Sequence, residues 1–395
     1  MTRRRWPFWA LLLAVVLLGV NLRMTIASLP PLLPEIRRDL GLSATVGGLL
    51  TTVPVLCFGL LALVGPRMAR ARAIEWLLVG CMATVAVAAA LRGVDGVLTV
   101  FAGSLFIGIA IGLGQTLLPI LLRSAHAPRT GALTAGFSMS LTLGGTIAGG
   151  VAVPLAHLFS GSWHASLAFW ALPALLALVV WVARARISTS RLEAPAPQPL
   201  RGEPLAWRVA AYFGCQSIGF YAGLAWLPTI LQSHGYSAAS AGWLQALASL
   251  VSALPALLVP LVATRVAHQR GLLAAVVSMA AAGVIGLLSD PSVAPLWMVM
   301  IGLGQGGALG LGLILPVLRG REPHHVASLT AMSFSLGYVI AAAGPWLLAA
   351  VHDLTGGWSA ALGALLGLTL LQLVPGIGAT APRVVGAPSA KAGVP

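Results

Sequence analysis

Twelve apolar runs succeed one another along the chain, and they leave almost no choice of architecture. Their cores lie near 7–32, 44–65, 74–91, 97–122, 131–156, 165–183, 208–231, 238–263, 271–288, 294–318, 327–351 and 358–378. Each is close to the roughly 20 residues that a helix needs to cross a bilayer. Inside hydrocarbon a backbone must satisfy its own N–H and C=O groups, and unbroken apolar runs of this length do so as helices. Composition agrees, since 58% of the residues are hydrophobic and 8% charged, too little charge to cover a soluble surface. The expected fold class is an all-α integral membrane protein with twelve transmembrane helices.

Arg3, Arg4 and Arg5 followed by an apolar stretch have the outline of a signal peptide. The stretch continues to Leu33, however, so the first segment is expected to remain as a helix. The net charge of +14 would suit nucleic acid if it were gathered on one soluble face. Instead it sits in short clusters between apolar runs. All but Arg23, Arg37, Arg38 and Arg92 of the 23 basic residues fall on one side of the alternating segments. The positive-inside rule makes that side cytoplasmic, together with both termini. The polar, Pro-rich stretch 184–206 then reads as a cytoplasmic linker. It separates an N-terminal six-helix bundle, 1–183, from a C-terminal one, 207–380, with a cytoplasmic tail at 381–395. Cys57, Cys81 and Cys215 are scattered through apolar segments and give neither a disulfide framework nor metal-ligand spacing. No metal or cofactor is expected. The partners expected are the bilayer and a small solute, with no nucleic acid, and the chain is expected to be a monomer.

The two halves carry an internal repeat. His157-Leu-Phe-Ser-Gly161-Ser-Trp163 matches His352-Asp-Leu-Thr-Gly356-Gly-Trp358 at an offset of 195. Pro34, Gly41, Ser43 and Gly48 match Pro228, Gly235, Ser237 and Gly242 at an offset of 194. A parallel six-plus-six repeat implies two bundles around a central cavity, and rocking of one bundle against the other gives alternating access.

These features together resemble the major facilitator superfamily over essentially the whole chain. Within it, the segment NLRMTIASLPPLLPEIRRDLGLSATVGGLLTTVPVLCFGL (21–60) is similar to the cyanate/2-nitroimidazole transporter family. Asn21-Leu22-Arg23, Leu40-Gly41-Leu42-Ser43 and the run Gly48 to Pro54 carry that similarity. The resemblance implies the major facilitator fold, a bacterial inner membrane and a cyanate-like anion or nitroimidazole-like compound as cargo. Two departures stand out. The superfamily's loop after the second helix usually has the pattern GxxxD, whereas here Gly65-Pro66-Arg67-Met68-Ala69 puts alanine in the acid's place. The usual Asp-centred latch is therefore not expected, although the neighbouring arginines can still meet helix C-terminal carbonyls. A drug-antiporter signature in the fifth helix is met only as Gly145-Thr146-Ile147-Ala148-Gly149-Gly150, which suits close packing by small residues equally well.

The residue that points to function is Arg23. It lies inside the first apolar run, where a charge costs about 2.5–3.5 kcal/mol on insertion scales. Glu35 is twelve residues away, too far along a straight helix to pair with it. A cation kept in the membrane without a protein partner is expected to bind an anionic or strongly polar solute. The alternative is a structural arginine held by carbonyls or snorkelling outward. The repeat offset places Gln216, Ser217 and Tyr221 at the matching depth of the seventh segment, as cavity residues or as interhelical hydrogen-bonding groups. Gln216 and Tyr221 point different ways on a helix, so at most one meets the solute directly. Gln305 and Tyr338 lie near the centres of their segments and are candidate hydrogen-bond donors, with Asn21 a further candidate. Gly302, Gly306 and Gly310 form a stripe suited to close helix approach. Trp226 and Trp243, near segment ends, read as interfacial belt residues.

No acidic residue falls at mid-membrane, which argues against a cation/proton antiporter with a central acid. No Walker, HExxH or GxSxG sequence is present, so the chain is not expected to be an enzyme. The expected activity is secondary transport of a small polar or anionic solute, with Arg23 binding its charge. The alternative is a multidrug/proton antiporter exporting hydrophobic compounds, which would tolerate loss of Arg23.

Overall fold

The computed structural model describes residues 7–125, 130–187, 200 and 202–385. The expected linker positions 188–199 and 201 and the tail 386–395 lie outside the described residues, as do Arg3, Arg4, Arg5, Arg129, Arg191, Arg201 and Lys391. The first segment forms α1 (Phe8–Ala27), breaks at Pro30 and Pro31, and continues as α2 (Leu33–Asp39). Then come α3 (Ala44–Ala71), α4 (Ile74–Leu91), α5 (Val97–Ala125) and α6 (Thr130–Leu158). The sixth segment is split into α7 (Trp163–Phe169) and α8 (Ala171–Ile187). The second half comprises α9 (Pro204–Ser233), α10 (Ala238–Ala263), α11 (Arg270–Ser289), α12 (Ala294–Arg319) and α13 (Pro323–Thr355). Its last segment is split into α14 (Trp358–Leu371) and α15 (Leu373–Ala379).

Among the described residues eleven helical spans are long and apolar enough to cross a membrane. The twelfth, α9, has the length, but Tyr212, Gln216, Ser217 and Tyr221 dilute its hydropathy. All four of these side chains are buried, so this helix faces protein along much of its length.

The sequence repeat recurs in local structure. Ser43 and Ser237 cap the N-termini of α3 and α10, accepting from Val46 N and Ser240 N. Gly41 and Gly235 precede them at φ +64° and +91°, a left-handed conformation that costs glycine nothing. Helix pairing repeats as well. In the first half α1 packs on α6, α3 on α5, and α4 on both α5 and α8. In the second half α9 packs on α13, α10 on α12, and α11 on both α12 and α14. These are two copies of one six-helix arrangement. The predicted glycine stripe makes one of the contacts, because Gly302, Gly306 and Gly310 lie against the backbones of Ala248, Ser252 and Ala256.

The halves meet through α3 with α13, through α6 with α10, and through the Pro30–Leu32 turn with α9 and α10. At the end carrying Ser43 this seam is polar as well as apolar. The Asp353 carboxylate accepts from Ala44 N (3.3 Å), Thr45 N (2.7 Å) and Thr45 Oγ1 (2.7 Å), so it caps a helix of the other half. Trp226 is not the belt residue its position suggested. It is fully buried, donates from Nε1 to Pro345 O at 2.7 Å, and stacks beside Trp358 and the Arg37 guanidinium. Trp243 is exposed on one side and covers Gly150 on the other.

Two other charges are buried at the ends of α4. Arg92 follows α4 but is only 2% exposed, donating to Thr25 O at 2.7 Å and Ser104 Oγ at 2.8 Å. It ties α1, α4 and α5 together. Glu75, in the first turn of α4, is buried 3.6 Å from Arg184 of α8. Where the usual loop acid is replaced, Ala69 is fully buried and Arg67 donates to Leu63 O at 3.0 Å.

Candidate functional site

Arg23 sits on α1 with its stem against Gly145 of α6, where a Cβ would lie 3.1 Å from the arginine Cγ. The guanidinium reaches across to the other half. It lies 5.4 Å from the Phe220 ring and 5.9 Å from the Tyr221 ring, both on α9. Its Nη1 is 3.5 Å from the Tyr221 hydroxyl, the outer limit of a hydrogen bond. Among the described residues no carboxylate forms an ion pair with it. Cation–π contact is worth about 0.5–2 kcal/mol, much less than two charge-assisted hydrogen bonds to an anion. A half-buried guanidinium with five N–H donors and a single long contact therefore retains most of its binding capacity.

Aromatic rings surround this charge. Tyr221 and Tyr338 lie 6.1 Å apart, and Phe58 of α3 meets both, at 6.2 and 5.7 Å. Phe213 and Phe334 close the far side of Tyr338, at 5.6 and 6.0 Å. The cage therefore draws on α3 from one half and on α9 and α13 from the other. Its edge-on ring contacts leave faces on which a planar solute can lie.

The expected site residues divide into three groups. Arg23, Tyr221 and Tyr338 come together. Gln305 lines a separate small cavity together with Phe220 and Gln245. Asn21 and Gln216 are engaged elsewhere. Asn21 Nδ2 donates to Leu17 O at 2.7 Å and Pro173 O at 3.1 Å, tying α1 to α8. Gln216 Nε2 bonds the Ser217 hydroxyl at 2.5 Å. Of Gln216 and Tyr221, it is thus Tyr221 that meets the arginine. Sequence reasoning did not single out Phe58, Phe213, Phe220 and Phe334, because a phenylalanine in an apolar run carries nothing that sets it apart. Gln245 did carry the signal that singled out Gln305, a lone amide in an apolar helix.

A cation ringed by aromatic side chains lies where two repeated helical arrangements meet, the layout expected of a solute carrier. Residues 11–342 match the Major Facilitator Superfamily, and the chain belongs to it. It is 35% identical over 373 residues to the 2-nitroimidazole transporter of Escherichia coli (strain K12), covering 93% of this chain and 94% of that one. It is 33% identical over 359 residues to the cyanate transport protein CynX of the same organism, covering 88% and 91%. Among solved structures it resembles a bacterial homolog of the human lysosomal transporter Spinster in an inward-facing, occupied conformation. That likeness has a TM-score of 0.76, covers 93% of this chain and 94% of the other, and at 15% identity concerns the fold alone. The protein is a multi-pass membrane transporter of the major facilitator fold, and not an enzyme.

Proposed function

We propose that the protein moves a small anionic or strongly polar solute, of cyanate-like or nitroimidazole-like chemistry, across a bacterial cytoplasmic membrane by alternating access. Arg23 takes the negative or electron-rich end, Tyr221 and Tyr338 supply hydroxyl donors, and the cage excludes water from the solute's flat faces. The single observation behind this is an arginine within an apolar spanning helix, with aromatic neighbours and, among the described residues, no carboxylate paired with it. It stands between the halves 1–183 and 207–380, where a bound solute touches both and biases their relative position. Both termini lie in the cytoplasm, so the Ser43 and Asp353 end of the seam is the outer gate, closed in this conformation. Among the described residues no carboxylate pairs with Arg23, so in this reading the cargo itself or an exchanged anion carries the coupling charge.

The test is uptake of labelled cyanate and 2-nitroimidazole into proteoliposomes. Wild-type protein is expected to move at least one of them. Losing charge-assisted hydrogen bonds worth about 1.5–3 kcal/mol reduces occupancy about 10- to 150-fold at limiting solute, so Arg23→Ala is expected to be inactive though expressed and folded. Wild-type rates from Arg23→Ala exclude the binding role.

A further inference from the structure

Phe220, whose ring contacts Arg23, also lines a small cavity within the second half, of about 30 Å³, bounded by α9, α10 and α12 with one residue each from α11 and α14. Gln245 of α10 and Gln305 of α12 both line it, and each is 8% exposed. In both, Oε1 is buried without a hydrogen-bond partner. Neighbouring hydroxyls do not relieve them, because Ser249 donates to Gln245 O at 3.0 Å and Ser252 to Ser249 O at 2.7 Å. The local fold explains why the space exists. Gly302 and Gly306 bring α12 onto the backbone of α10 at Ala248 and Ser252. Gly219 and Gly223 of α9 then leave that wall without side chains. A buried amide oxygen without a donor costs free energy, and here two are orphaned around one cavity.

We infer that Gln245 and Gln305 form a neutral hydrogen-bonding subsite for the solute whose charged or electron-rich end Arg23 holds. The inference rests on that transporter reading and adds a chemical class to it. The orphaned atoms are acceptors, so the occupant brings N–H or O–H donors. The cavity, at about 30 Å³, has room for the donor edge of that occupant and not the whole of it, and Phe220 stands beside both this cavity and Arg23. A neutral subsite cannot discriminate by charge. It discriminates by hydrogen bonding, rejecting an analogue that leaves its buried amides unpaired. Cyanate, short and without a donor, is therefore held at the Arg23 site without the amides, whereas a heteroaromatic N–H compound uses both.

The experiment measures thermal stabilisation of the purified full-length protein by 2-nitroimidazole and by cyanate, in wild type, Gln245→Leu, Gln305→Leu and Arg23→Ala. 2-Nitroimidazole has one N–H to give, so at least one leucine variant is expected to weaken it by about tenfold, the equivalent of one hydrogen bond, and both are expected to leave cyanate unchanged. Arg23→Ala is expected to weaken both. Without ligand, the leucine variants are expected to melt at or above the wild-type temperature, because they remove acceptors that nothing satisfies. Leucine variants that bind 2-nitroimidazole as wild type does overturn the subsite, whatever Arg23→Ala does. A lowered melting temperature without ligand also overturns it, by making the amides internal struts, and it decides the matter even if neither probe binds wild type. If Arg23→Ala binds both probes normally while the leucine variants lose 2-nitroimidazole, the arginine reading fails and the amide subsite stands.

Discussion

Asp353 gives the seam between the halves its main polar contact, and its removal has a calculable effect. The first turn of α3 exposes amides that no carbonyl within the helix can satisfy. Ser43 Oγ takes Val46 N, and the carboxylate of Asp353, 309 residues from Ala44, takes Ala44 N and Thr45 N. The matching position of the first half is Leu158, so the α6–α10 contact has no counterpart. The Asp353 side chain is 28% exposed, which screens it, and an anion at such a helix N-terminus is worth about 1 kcal/mol. Asp353→Asn keeps an acceptor but removes the charge, so the closed-to-open ratio of this end should fall about fivefold. Spin labels at Val46 and Leu354, both exposed, report the separation once Cys57, Cys81 and Cys215 are replaced. The long-distance population is expected to grow in Asp353→Asn. The difference should shrink in 1 M salt, where the screening length is about 3 Å. An unchanged distance distribution, or a shift toward the closed population, refutes the latch.

Other consequences follow from contacts within each half. Gly306→Val forces a branched side chain into the Ser252 backbone, and overpacking of this kind costs about 1–3 kcal/mol. The expected result is a lower melting temperature, and an unchanged one would mean that α10 and α12 are less close than described. Ser104→Ala removes the acceptor of a buried Arg92 N–H. It is expected to destabilise by about 1–3 kcal/mol, well above an exposed Ser→Ala change measured alongside it.

Much of this was legible in the sequence, for identifiable reasons. Spanning segments are read from hydropathy because lipid forces each helix to satisfy itself. The repeat showed in sequence because its matches fall on residues with strict local duties, the caps Ser43 and Ser237 and the left-handed Gly41 and Gly235. Arg23 was conspicuous because a charge in an apolar run is costly, and Tyr221 and Tyr338 because a phenol needs a partner. The aromatic cage was not legible, since Phe58 and Phe220 look like any core or lipid-facing residue until helices are placed. Trp226 was misjudged, and the burial of Arg92 not foreseen, for one reason. A residue near a segment end reads as interfacial or loop, yet the neighbouring helices enclose both. The target of Asp353 depended on a contact between halves that no local pattern encodes.

A structure determined with a bound heteroaromatic anion tests the central claim most directly. The account requires the solute's acidic edge within about 3 Å of the Arg23 guanidinium, the usual charge-assisted distance, with its ring against Phe220 or Tyr221. A solute resting elsewhere in the bundle, with Arg23 still stacked on the α9 aromatics and touching nothing else, would contradict it.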